Sequence, residues 1–203
     1  MRRSSCAPFG VGRLQHRAKI LRRIMELTLE DRANDAYLSL LYSLKTLSRE
    51  ERHLCFGVLD NEDFFSAPGG SEHHHNYKHG LIIHTAEVMN NAQKLCSGWK
   101  LPDELIIAVI WHDFMKIKDY AIVDQEIISL PYKKLINHVS GSCMEFHSAA
   151  KAIGMEPNKM ERIEHILLSH HGRKEWGSPV EPRTAEAFVM HTADMMSASG
   201  IVL

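Results

Sequence analysis

Apolar residues recur at helical spacing along most of the 203-residue chain. Leu14, Ile20, Leu21, Ile24 and Leu27 alternate with basic positions over 14–29, as in an amphipathic helix. Tyr37, Leu38, Leu40, Leu41, Leu44 and Leu47 predict a helix over 33–47. Ser48-Arg49-Glu50-Glu51 reads as a capping box opening a helix that runs to about Leu59. Periodicity is lost over 60–76, where Ala67-Pro68-Gly69-Gly70-Ser71 predicts a loop. It returns near Gly80, with Leu81, His84, Val88 and Leu95 at helical steps and Gly98 as the stop. Pro102, Asp103 and Glu104 suit a helix start. The run Leu105 to Trp111 that follows is apolar almost all round, so this helix is expected at the centre. Further helices are expected over about 133–153, 158–171 and 184–199. No strand pattern is convincing. The expected fold is all-α, a bundle of seven or eight helices in one domain.

Composition adds two facts. The apolar share of 44% and charged share of 24% are those of an ordinary globular chain, and no stretch is long and apolar enough to span a membrane. The four cysteines, Cys6, Cys55, Cys96 and Cys143, form no CxxC pair. A disulfide scaffold or thiolate zinc site is not expected, and a reducing cytoplasm is. Charge is uneven. Arg2, Arg3, Arg13, Arg17, Lys19, Arg22 and Arg23 precede the first acid, Glu26, in a chain of net charge −1. This arm, residues 1–25, suits phosphate neutralisation, a transit peptide or a solvated tail. The expected organisation is a basic arm and helix over 1–47 and one domain over 48–203.

The chemistry-bearing signal is histidine. There are 14, five of them between His73 and His84. His112-Asp113 ends the central helix. His84, His138, His170-His171 and Asp194 each interrupt an apolar stripe on a different predicted helix. A polar group placed so must be satisfied or its desolvation cost falls on the fold. A bundle can project such groups into one interior metal site. Imidazoles with two carboxylates suit Mn, Fe, Co, Ni or Zn better than Ca or Mg.

The order His84, His112-Asp113, Asp194 resembles the HD superfamily of metal-dependent phosphohydrolases, and most of all the HD domain of YhaM-type 3′–5′ exoribonucleases. The matching stretches are 74–84, 111–116, 137–139, 168–172, 175–179 and 191–194, and the likeness covers about residues 45–200. The resemblance implies an all-α HD bundle round two divalent transition metals. His84, His112, Asp113 and Asp194 would hold one ion. Asp113 would bridge to a second held by His138, His170 and His171. Asp113 and Lys116 would be catalytic, Lys116 stabilising developing phosphoryl charge. His74 and His75 match paired histidines of the family and are candidate substrate contacts, or donors behind the ligands. Trp176 is a candidate base-stacking residue. His73 and His79 are expected at the surface, and His147, His165 and His191 near the site, with His191 backing Asp194. Met115 stands where the family usually has glycine before the lysine. The exonucleases carry an N-terminal OB-fold, for which this chain shows neither room nor a strand pattern; the basic segment 1–47 takes its place.

The implied function is a phosphohydrolase acting on a nucleotide or single-stranded nucleic acid, with 3′–5′ exonuclease activity as one form. Two alternatives use the same residues: a mixed-valent di-iron oxygenase of small molecules, and a non-catalytic nucleic-acid-binding module. A DNA-transfer role rests on a weaker likeness to some mobilisation proteins. No oligomeric state is implied.

Overall fold

A computed structural model describes residues 28–203 except His73 and Trp99. The basic arm 1–25, most of the expected helix 14–29 and His73 lie outside the described residues. A helix, α1, covers 28–43 and tightens to a 3-10 turn at Leu44–Thr46. It turns Ala33, Ala36, Leu40, Leu44 and Leu47 into the core, while Leu38 is 61% exposed. The buried face thus takes in the small residues at 33 and 36 and leaves out Leu38.

Next come α2 (Arg49–Leu59) and α3 (Glu62–Ser66). Ser48 Oγ accepts from Glu51 N, and the Glu51 carboxylate accepts from Ser48 N at 3.0 Å, closing the expected capping box. α3 corrects the loop expected over 60–76. Asn61 caps it by accepting from Phe64 N at 2.9 Å, and Phe64 is fully buried. Five residues are too few for periodicity to reveal.

α4 (Gly80–Leu95) and α10 (Ala185–Ala198) pair extensively. Between them and α9 (Pro157–Ser169) lies α5 (Asp103–Trp111), every residue of which from Leu105 onward is buried. Helices α2, α4, α8 (His138–Ala152), α9 and α10 all pack on α5, which explains an apolar stripe with no polar side.

Two corrections follow α5. A single turn, α6 (Lys116–Asp119), leads into an antiparallel hairpin, β1 (Tyr120–Val123) with β2 (Glu126–Ser129). Asp124 and Gln125 turn it with φ of 49° and 74°. Both central residues at positive φ is the type I′ habit, usually marked by Asn-Gly, so Asp-Gln hid it. Ile122, Val123 and Ile128 are exposed, so no buried alternation marks the strands either. The helix expected over 133–153 is in fact two: α7 (Pro131–Leu135) and α8 (His138–Ala152). Asn137 breaks it at φ 71°, and its side chain caps α8 by accepting from Val139 N at 2.9 Å. The break makes His138 the first residue of α8, where it can turn back toward Asp119. Among the described residues, no helix is long and apolar enough to cross a membrane.

Two glycines on helices predict opposite outcomes. Nothing lies within 4 Å of a Cβ added at Gly57 in α2. Gly57→Ala should therefore gain about 1 kcal/mol of helix propensity in urea melts. A Cβ at Gly80 would stand 2.0 Å from the His75 carbonyl oxygen, so Gly80→Ala should lose about 1–3 kcal/mol by overpacking. Glu51 predicts acid sensitivity. Burial raises its pKa, but Lys159 and the Ser48 cap lower it further, and the net direction is down. Its contribution is therefore present above the unfolded-state value of about 4.3 and lost as pH falls through the folded one. Glu51→Gln should narrow the stability difference between neutral and acid pH, measured by the same melts.

Candidate metal centre

Asp113 sits one residue beyond the C-cap of α5, 2% exposed, where the central helix runs into the middle of the bundle. Its two oxygens face different imidazoles. Oδ2 lies 3.4 Å from His84 Nε2 and 3.3 Å from His112 Nε2. Oδ1 lies 3.4 Å from His138 Nε2 and 3.7 Å from His170 Nε2. His171 Nε2 is 3.3 Å from His138 Nε2. Asp194 Oδ1, from α10, closes the first group at 3.1 Å from His84 Nε2. Thus α4, α5, α8, α9 and α10 bring together every residue expected to hold metal. They form two donor groups sharing Asp113: His84 and His112 on one side, and His138, His170 and His171 on the other.

The tautomers follow from what holds each ring from behind. His112 Nδ1 donates to Val109 O at 2.8 Å, and His170 Nδ1 to Leu167 O at 2.7 Å. His171 Nδ1 donates to Trp176 O at 2.9 Å. His138 Nδ1 donates to the Asp119 carboxylate at 2.6 Å. His84 Nδ1 meets Ser197 Oγ at 2.9 Å, and that hydroxyl donates onward to Glu87 Oε2 at 2.8 Å, so it accepts from His84. All five rings therefore spend their Nδ1–H outside the cluster and turn Nε2 inward. That is how metal-bound histidines are oriented.

Protonation agrees. Burial opposes charge on Asp113, but His112 and Lys116 hold its carboxyl well below the ordinary range. Asp194 is likewise lowered: burial raises it, but His84, His170 and His112 together outweigh that. Burial, then His171 and His112, push His170 down, and burial and His138 push His171 down, so both are neutral donors. His84 is the exception: burial lowers it, yet Asp113 and Asp194 raise it to about 9.

The donor set fits a metal on an independent ground. Asp113 Oδ1 and His170 Nε2 are buried with no hydrogen-bond partner. Buried polar atoms are rarely left so. Donors about 2.1 Å from a shared ion stand roughly 3.0–3.4 Å apart, close to the separations here.

Other expected residues fall differently. Lys116 is half-buried, its ammonium 2.6 Å from Asp113 Oδ2 and 2.7 Å from Gly69 O. His74 is exposed on the wall of a cavity of about 750 Å³ above the cluster, and Trp176, 47% exposed, lines the same cavity. His75 is buried and bonds Glu87 at 2.9 Å. His79, expected at the surface, is 6% exposed, because its Nδ1 donates to Phe65 O at 2.8 Å. His147 is not at the site: it pairs with Glu164 on the outside of α8. His165 accepts from Arg183 N, away from the cluster. His191 backs His170 rather than Asp194, donating from Nδ1 to His170 O at 2.8 Å. Met115 has φ −79°, so nothing there requires glycine.

Sequence reasoning missed Glu87, Ser197 and Asp119. Glu87 and Ser197 each follow a named residue, His84 and Asp194, by three positions on one helix face, a signal that was available. Asp119 carried none, since its partner His138 lies across the hairpin.

A helical bundle enclosing paired imidazole groups on one shared carboxylate is the architecture of the HD class. The family model for the HD domain matches residues 81–199, and the chain belongs to that family. The class of enzyme expected from the sequence, a hydrolase of the HD type, agrees with that membership. The chain is 31% identical over 140 residues to the 3′–5′ exoribonuclease YhaM of Listeria innocua, covering 68% of this chain and 44% of that one. It is 28% identical over 171 residues to the protein of the same name in Bacillus pumilus, covering 81% and 52%. It thus spans about half the length of the curated relatives it matches. No solved structure matches.

Removing the carboxylate behind His138 tests the centre. Asp119→Ala should weaken metal binding 10- to 100-fold, measured by calorimetric titration of metal-stripped protein. His147→Ala, on the outside of α8, should leave the affinity unchanged.

Proposed function

We propose that this protein is a metal-dependent phosphohydrolase that cleaves phosphodiester bonds in single-stranded nucleic acid, in the 3′–5′ exonucleolytic manner for which its relatives are named. One observation carries the reading: Asp113 is shared between two donor groups under an open cavity. His84, His112, Asp113 and Asp194 would hold one divalent ion, and Asp113, His138, His170 and His171 a second. Ions of the Mn, Fe, Co, Ni or Zn type suit these nitrogen-rich donors. Bound there, such ions supply Lewis acidity toward a phosphoryl group and an acidified water.

The remaining work belongs to the chain. Lys116 neutralises part of the charge on Asp113 and pins the Gly69-Gly70 loop, so the cavity wall and the shared carboxylate move together. With its remaining N–H it can meet a phosphoryl oxygen as negative charge builds there. The loop approaches closely because Gly69 has no side chain; a Cβ there would stand 2.7 Å from His75 Cβ. His74 can donate to a non-bridging oxygen from the cavity wall. Trp176 offers a face to a base. The arm 1–25 would add sequence-independent phosphate contacts, beyond the domain over 48–203. The three described cysteines are free, which suits a reducing cytoplasm. The oxygenase and non-catalytic readings draw no support from the relatives.

The test is a metal-supplemented screen of the full chain against single-stranded RNA, single-stranded DNA, cyclic dinucleotides and nucleoside triphosphates. Single-stranded substrate should be shortened with release of mononucleotides under Mn, and Asp113→Ala should lose at least 10²-fold in rate. No cleavage above the Asp113→Ala blank under Mn, Co, Ni or Fe would refute the proposal.

A further inference from the structure

Among the residues lining the cavity above the cluster are two groups on opposite attachments. Gly69, Gly70 and His75 form one, linked to the floor through the Lys116 ammonium. Tyr120, Lys133, His138, His171 and Trp176 form the other. Each group carries one lysine, and the two are used differently. The Lys116 ammonium is engaged by Asp113 Oδ2 at 2.6 Å and Gly69 O at 2.7 Å. Lys133 makes no ion pair among the described residues. Its ammonium instead sits 4.6 Å from the centre of the Tyr120 ring.

That placement is held from below. Tyr120 is 9% exposed, and its neighbour Asp119 grips His138 Nδ1 at 2.6 Å. The hairpin and α7 therefore carry a cation to the His138–His171 side of the cavity. Trp176 is tied to the same side, because its carbonyl accepts from His171 Nδ1 at 2.9 Å. A lone phosphodiester would be served by the cluster and Lys116. A second cation, in no ion pair among the described residues, lines the same cavity as the half-exposed Trp176 indole, over which the Arg173 guanidinium sits 4.8 Å from the ring centre, and so has the chemistry for another phosphate and its base.

We infer that Lys133 and Trp176 form a subsite for a second nucleotide of the same strand, so that the centre is built for a polynucleotide and not for a single nucleotide ester. The inference rests on the phosphodiesterase reading above. Lysine suits the role: a point charge on a flexible stem meets a phosphate without reading sequence.

The test uses the full chain and a fluorescently labelled single-stranded oligonucleotide. In metal-free protein, Lys133→Ala should weaken binding about tenfold and lower the slope of log affinity against log salt by about 0.7. Lys133→Arg, which keeps the charge, should restore both. With Mn added, the ratio of kcat/KM for the oligonucleotide to that for bis(p-nitrophenyl) phosphate should fall about tenfold in Lys133→Ala, through KM. An unchanged slope and an unchanged ratio overturn the subsite and leave the phosphodiesterase reading standing. If the wild-type protein cleaves neither substrate, that reading fails and the subsite with it.

Discussion

A charged carboxylate at the centre of an apolar bundle is the constraint round which the rest is organised. Asp113 is 2% exposed and stands at the end of a helix with no polar side. Burying an ion without compensation costs several kcal/mol even after relaxation. Compensation comes from Lys116, from His112 beside it and from imidazoles on three other helices, all of which must converge on a few ångströms. Convergence of that kind leaves little latitude in how the helices pack. It also explains why α5 is buried all round: it has to enter the middle of the bundle to deliver its last residues.

Five imidazoles around one carboxylate would repel or misorient unless their protons were placed. The backing hydrogen bonds do this, and they come in two kinds. His112, His170 and His171 donate to backbone carbonyls, two of them to the turn just before and one to the loop just after, so local helix geometry sets their tautomers. His84 and His138 depend on side chains far away in sequence, Ser197 with Glu87 and Asp119. The first kind comes with the helix. The second exists only once α4 meets α10 and the hairpin folds against α8. The Ser197–Glu87–His75 chain also ties a metal-facing ring to the Gly69 loop, so wall and floor of the cavity share one hydrogen-bonded frame.

Membership of the HD family and an open cavity with cationic walls point to phosphoester chemistry. The hairpin and α7 give that cavity its outer side. Neither adds a buried stripe to the core, apart from Tyr120. Their contribution is positional: they hold Asp119 behind His138 and Lys133 beside the opening.

The helices with long periodic faces were legible along the chain, as were the capping box at Ser48 and the residues that interrupt apolar stripes. These are local properties: a 3.6-residue period, a side chain accepting from an N–H three residues on, a polar group that burial obliges to find a partner. Such signals named His84, His112, Asp113, His138, His170, His171 and Asp194 before any geometry was known. They could not show α3, the hairpin or the break at Asn137, because short surface elements carry no period and a positive-φ turn can be built from Asp-Gln. They also misplaced His79, His147 and His165, since where a histidine sits depends on which carbonyl, carboxylate or N–H comes within reach. Partners across long stretches of chain, Asp119 for His138 and Ser197 for His84, were decided by tertiary structure alone. Hydrogen bonds act over about 3 Å, and only the packed bundle brings atoms so distant in sequence within that range.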